Sequence, residues 1–209
     1  MCYSWKQLLI NCETLNKFCG RIDRYAIKIS ETPENQSNEY YHLSGPNASK
    51  KFKGDVFEVF AELLIRLSPL DDRIGVHDYH VVSVDDTGVD GYGKQKDGSP
   101  ITVQVKYRLW DMILNEIESH LHNFSLTSRN VYKSKGLGSI LLITTGQELH
   151  WKTIANFSGE IKCISRDASY GCLRGAPPKT VDSLFSLKTL VDGSVLFWDT
   201  FRQQTGVIG

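Results

Sequence analysis

Between Ile101 and Tyr107 the chain reads Ile-Thr-Val-Gln-Val-Lys-Tyr, an alternation of period two that suits an extended strand. Ile101, Val103, Val105 and Tyr107 fall on one face, expected to be a core face, while Thr102, Gln104 and Lys106 fall on the other. Just upstream, Lys94-Gln-Lys-Asp-Gly-Ser99 contains an Asp-Gly pair suited to the positive φ of a hairpin turn, in a loop too long for a two-residue connection. Antiparallel pairing with the preceding extended run brings Asp90 beside Gln104 and Lys106. One carboxylate, one amide oxygen and one ammonium at a sheet edge suit a divalent cation and a phosphodiester. Glycines at 88, 91 and 93 bracket Asp90, yet no Gly-Lys-Ser/Thr follows to make a phosphate loop. Close approach of the backbone to a ligand, or a bulge, accounts for them better.

Asp90 with the Gln104-Val105-Lys106 triplet resembles the PD-(D/E)xK signature of the restriction endonuclease-like nucleases, and glutamine in place of the usual acid resembles their Mrr-like branch. Lys53 to Leu64 resembles that branch's opening helix, with its acid at Glu58, and Gly138 to Gly146 resembles the strand and Thr-rich turn that follow the catalytic hairpin. The resemblance covers about Lys50 to Ser165. It implies an α/β fold: a restriction endonuclease-like core with a mixed central β-sheet flanked by helices, and an N-terminal extension. It also implies a Mg²⁺-dependent endodeoxyribonuclease, with Mn²⁺ able to substitute. Asp90, Gln104, the Val105 carbonyl and Glu58 would hold the metal, and Lys106 would position the attacking water. Double-stranded DNA is the implied partner, and many members dimerise to cut both strands. Gln104 departs from the acidic form and lowers the expected metal affinity. Two other readings stand beside this one: a DNA-binding or helicase- and replication-associated module without catalysis, and a Holliday-junction-resolvase-like enzyme, whose usual Glu-Val-Lys is absent.

With 209 residues the chain can bury a substantial core. Its formal net charge is zero, so contacts to nucleic acid must come from local charge. Ser128 to Gly136, carrying Arg129, Lys133 and Lys135 without an acid, is the best local candidate for phosphate contacts, and Arg108 joins it; a solvated loop is the competing reading. No apolar run is long enough for a membrane span, and residues 1–20 lack a signal-peptide core, so a cytoplasmic protein is expected. Five cysteines without a CxxC pair read as reduced thiols. Neither His77 with His80 nor His120 with His122 finds a second ligand pair, which argues against zinc.

Along the chain, Trp5, Leu8, Leu9, Cys12, Leu15, Phe18 and Cys19 predict a helix ending near Gly20, and Tyr25, Ile27 and Ile29 predict a strand over Arg21 to Ser30. Glu31 to Ser49 reads as a linker, which divides the chain into an N-terminal region (1–49), a nuclease-like core (50–165) and a C-terminal helical extension (166–209). Within the core a helix is predicted from about Lys53 to Leu67, then strands at His80–Val84, Ile101–Tyr107, Ile140–Thr144 and Glu160–Ser165, with helices near Trp110–Leu121 and Glu148–Phe157. Glu58 and Glu62 lie one turn apart; Glu58 is assigned to the site and Glu62 to solvated surface charge. Gly171 to Lys179 reads as loop, followed by two short helices.

Overall fold

The computed structural model describes residues 8, 12–33, 44–68, 72–82, 89–108, 122–124, 126–128, 139–144, 161–167, 172–176, 179 and 181–182. The chain divides into two compact units, Met1–Phe57 with Val181–Gly209, and Glu58–Thr180.

Helix α1 (Leu15–Glu31) belongs to the first unit. Thr14 caps it, its side chain accepting the Lys17 N–H at 3.2 Å, which satisfies one of the orphan donors of the first turn. Leu15, Phe18, Cys19, Ile22, Ala26 and Ile29 recur at three- and four-residue steps and are all buried. The strand predicted over Arg21 to Ser30 is therefore helix. Alternation of Tyr25, Ile27 and Ile29 competed with the longer helical stripe and lost, leaving Ile27 54% exposed. Gly20 does not end the helix, since it lies on the outer face where a missing side chain removes no packing.

Helix α2 (Gly45–Leu67) begins within the predicted linker and ends where expected. From Val56 to Ile65 every residue except Glu58 is buried, so this stretch is covered over most of its circumference.

The second unit carries a six-stranded mixed sheet in the order β1-β2-β3-β4-β5-β6: His77–Val81, Gly91–Lys94, Pro100–Lys106, Ser139–Thr144, Ile161–Asp167 and Cys172–Arg174. Pairing is antiparallel for β1–β2, β2–β3 and β5–β6, and parallel for β3–β4 and β4–β5. A mixed α/β class follows. β6 is a correction, since the Gly171–Lys179 segment was expected to be loop; only three residues pair before the turn at Gly175, a signal too short for periodicity to reveal. The helices expected near 110–121, 148–157 and 195–201 lie outside the described residues, and of the one expected at 181–190 only residues 181–182 are described, as helix; short helical pieces also occur at 122–124 and 126–128.

β3 is the central strand that positions the site. Thr102 (4% exposed) and Gln104 (2%) are as buried as Ile101, Val103 and Val105, so both faces of the strand are covered. On the second face the Thr102 hydroxyl lies 2.9 Å from that of Ser128, which gives each buried group a partner. The hairpin turn is closed by Gly98 N–H to the Gln95 carbonyl at 2.9 Å and Gln95 N–H to the Ser99 carbonyl at 2.7 Å. Gly98 supplies the left-handed conformation, φ 83°. Asp97 accepts the Ser99 hydroxyl and N–H, and these bonds hold its carboxyl below the ordinary value. Among the described residues no helix is long and apolar enough to cross a membrane. Cys12, Cys19 and Cys163 form no disulfide among the described residues, and burial pushes the Cys12 thiol upward despite Arg21, Lys17 and Arg24 nearby.

Candidate functional site

The site is built where β2 begins. Gly91 pairs with Val103, and the Asp90 N–H also donates to the Val103 carbonyl at 2.9 Å. Two residues thus oppose one, the two-to-one count of a β-bulge. The carboxylate of Asp90 reaches onward and accepts the Val105 N–H at 2.5 Å. It replaces a ladder carbonyl at that point. N–H and C=O of one strand residue point to the same edge, so the Val105 carbonyl also faces the side on which Asp90 lies. Gln104 and Lys106 follow on alternate positions, Gln104 buried and Lys106 half-buried at the strand's end. No hydrogen bond among the described residues reaches the Gln104 side-chain oxygen, although the residue has partners of its own.

The charges of two α2 carboxylates act on Tyr79 of β1, the strand beside this hairpin. The Tyr79 ring on β1 covers Gly91 so closely that any side chain there would overlap it. Burial pushes the Tyr79 phenol upward, and Asp90, Glu62 and Glu58 push it further, with Arg66 opposing them. The phenol therefore stays protonated in a region of net negative potential. The assignment of Glu62 to solvated surface is overturned: it is 3% exposed and its carboxylate takes the Arg66 Nε–H at 2.6 Å. Glu58, expected to be the site's acid, is exposed. The helical stripe could not distinguish them, because the buried arc of α2 is wider than its apolar positions mark out and takes in Glu62 but not Glu58.

Expected consequences differ for the two acids. Glu62→Ala should destabilise the protein by roughly 1–3 kcal/mol, less than a fully buried pair because Arg66 is partly solvated. Glu58→Ala should fall within about 0.5 kcal/mol of wild type. Urea denaturation compares them directly, and equal losses would contradict the burial difference.

The outer side of the hairpin holds a feature that the sequence reading missed. His80 and Tyr92 are cross-strand partners, both exposed, with ring centroids 5.3 Å apart and planes at 26°. Tyr92 is in turn opposite Thr102, so this pair shares a face with Gln104 and Lys106. An open groove of ≈ 790 Å³ beside it is lined by Arg66, Tyr79, His80, Tyr92 and Lys94 among others. Asp78, with φ 49°, sits where the β1–β2 register slips and pairs with Lys94 at 3.0 Å. The only signal in the sequence was His80 opposite an aromatic, legible once the register is known.

Of the other expected contacts to nucleic acid, Arg108 is half-buried and donates to the Tyr107 carbonyl at 3.2 Å. Arg129, Lys133 and Lys135 lie outside the described residues. Among the described residues no group of three or more His, Cys, Asp or Glu side chains converges to hold a metal. The candidate donor set is of another kind: one fixed carboxylate, one amide oxygen and one backbone carbonyl. No family model, curated protein or solved structure matches this chain.

Proposed function

We propose that this chain is a metal-dependent endonuclease acting on double-stranded DNA, as its resemblance to the Mrr-like PD-(D/E)xK nucleases implies. The supporting observation is the Asp90 carboxylate fixed on the Val105 N–H, on the strand from which Gln104 and Lys106 project. Oxygen donors from Asp90, Gln104 and Val105 fit Mg²⁺ or Mn²⁺, and Glu58 is the further acid that the resemblance implies, joining directly or through water. A bound divalent ion would supply charge neutralisation at the phosphate and its leaving oxygen.

The chain's own residues do the remaining work. One Asp90 oxygen is held by the backbone, which orients the carboxylate instead of leaving it to rotate. Gln104 offers a neutral oxygen, so the site carries less negative charge than the acidic form and leans on the substrate phosphate to hold the ion. Lys106 orients the attacking water and offsets charge on the phosphorane. A homodimer would allow both strands to be cut.

The test is conversion of supercoiled plasmid to nicked or linear product with Mg²⁺ or Mn²⁺. Product should require metal, vanish with chelator and fall by at least about 100-fold in Asp90→Asn. Metal-independent product, or cleavage undiminished in the variant, would remove the hairpin from the chemistry. The competing reading is a DNA-binding module without catalysis on the same fold. It is favoured by the scarcity of converging acids among the described residues. Metal-dependent cleavage that Asp90→Asn abolishes rules it out.

A further inference from the structure

Because α1 runs unbroken through Gly20, four cations that the sequence reading placed on separate elements come into line. Lys17, Arg21, Arg24 and Lys28 are spaced four, three and four residues apart on one helix. At 3.6 residues per turn they occupy an arc of roughly 60° and a length of about 16 Å, opposite the buried stripe. Lys17, Arg24 and Lys28 are exposed and Arg21 is half-buried, with one guanidinium nitrogen donating to the Leu8 carbonyl at 3.0 Å.

Among the described residues the acids nearby offset this row only at its N-terminal end. Asp23 is neutralised by Lys53 at 2.9 Å. Glu13 engages Lys17 by an exposed ion pair, and Glu31 stands at the far end. Helix stability does not explain the row either. A cation in the last turn, Lys28, complements the helix dipole, but Lys17 sits in a first turn that contains no acid, where a cation opposes the dipole. In a chain whose formal net charge is zero, such a one-sided concentration calls for a polyanionic partner.

We infer that the outer face of α1 binds the phosphate backbone of duplex DNA without reading sequence. The identification of the polyanion as DNA rests on the nuclease reading of the second unit. An anionic membrane is the less suitable occupant: an interfacial helix needs an outward apolar face, and the apolar residues of α1 other than Ile27 and the half-buried Tyr25 are buried within the protein. Each phosphate contact contributes independently of base identity and releases counterions.

The experiment measures binding of the full chain to a short fluorescein-labelled duplex by anisotropy, in chelator, from about 50 to 200 mM KCl. Arg24→Ala/Lys28→Ala should reduce the slope of log K against log salt by about 2 and weaken binding at the lowest salt by roughly tenfold or more. Arg24→Lys/Lys28→Arg should restore both, and circular dichroism should show the same melting for all three proteins. An unchanged slope and affinity in the alanine variant would overturn the proposal. So would wild-type protein that ignores the duplex, whether or not it binds vesicles rich in phosphatidylserine. Since the assay contains no metal, the two readings can fail separately. Binding with the expected slope but without plasmid cleavage sinks only the nuclease; cleavage with an unchanged slope sinks only the helix surface.

Discussion

An alanine at Gly93 is expected to lower the melting temperature by about 6–12 °C, corresponding to roughly 3 kcal/mol. A methyl group placed there would lie 2.5 Å from the His77 carbonyl oxygen and 2.7 Å from Val76 Cγ1. The first of these belongs to the backbone of the neighbouring strand, so no rotamer change relieves the overlap. β1 and β2 would have to separate where their register already slips, between His77 and His80. Gly98→Ala is the useful contrast. Nothing surrounds that position, and its cost arises from φ 83° alone, so the loss should be nearer 1 kcal/mol. A thermal melt of Gly93→Ala within a degree or two of wild type would mean that the strands are not as closely apposed as described.

The second large effect concerns Lys106. Its replacement by alanine is expected to slow metal-dependent strand cleavage by about 10²–10⁴-fold while duplex binding changes only a few-fold. The argument is positional. Lys106 ends β3 two residues beyond Gln104 and one beyond the N–H that fixes Asp90, half-buried where the strand leaves the sheet. A residue needed only to attract DNA would show its loss as weaker binding, curable by lowering salt. One that positions water and neutralises developing charge loses rate at saturating protein as well. Lys106→Arg should not restore the rate, because a planar, delocalised guanidinium differs from an ammonium as a donor and as a point charge. Single-turnover nicking separates these outcomes; a loss smaller than about threefold would take Lys106 out of the reaction.

The second unit's hairpin was legible because two independent signals agreed on it: the alternation of residues 101–107 and the Asp-Gly turn. Ile140–Thr144 was also visible, as a short apolar run, and Ser139–Thr144 is indeed β4. In contrast, α1 was cut at Gly20 because the composition of Tyr25, Ile27 and Ile29 favours strand locally, whereas packing of Ile22, Ala26 and Ile29 decides for helix. The error hid the basic row, which exists only at helical spacing. Glu62 was misplaced for a related reason: a carboxylate can be buried when Arg66, one turn on, supplies its counter-charge, and no pattern of apolar residues announces that. The pairing expected from sequence put Asp90 beside Gln104 and Lys106, whereas its bonds run to Val103 and Val105; the bulge and the bond to Val105 depend on atomic register, which residue identity does not specify.

That bond places two demands on one side chain. Asp90 completes the backbone pairing at Val105 and is also the carboxylate that the chemistry would use. Asparagine preserves an oxygen acceptor of the same length and surrenders the charge; glutamate preserves the charge but is a methylene too long to close on the same N–H without shifting the strand. No single replacement meets both requirements. Tolerance at this position should consequently be narrower than either demand alone imposes, and in a selection for folded protein alone asparagine should return where glutamate does not.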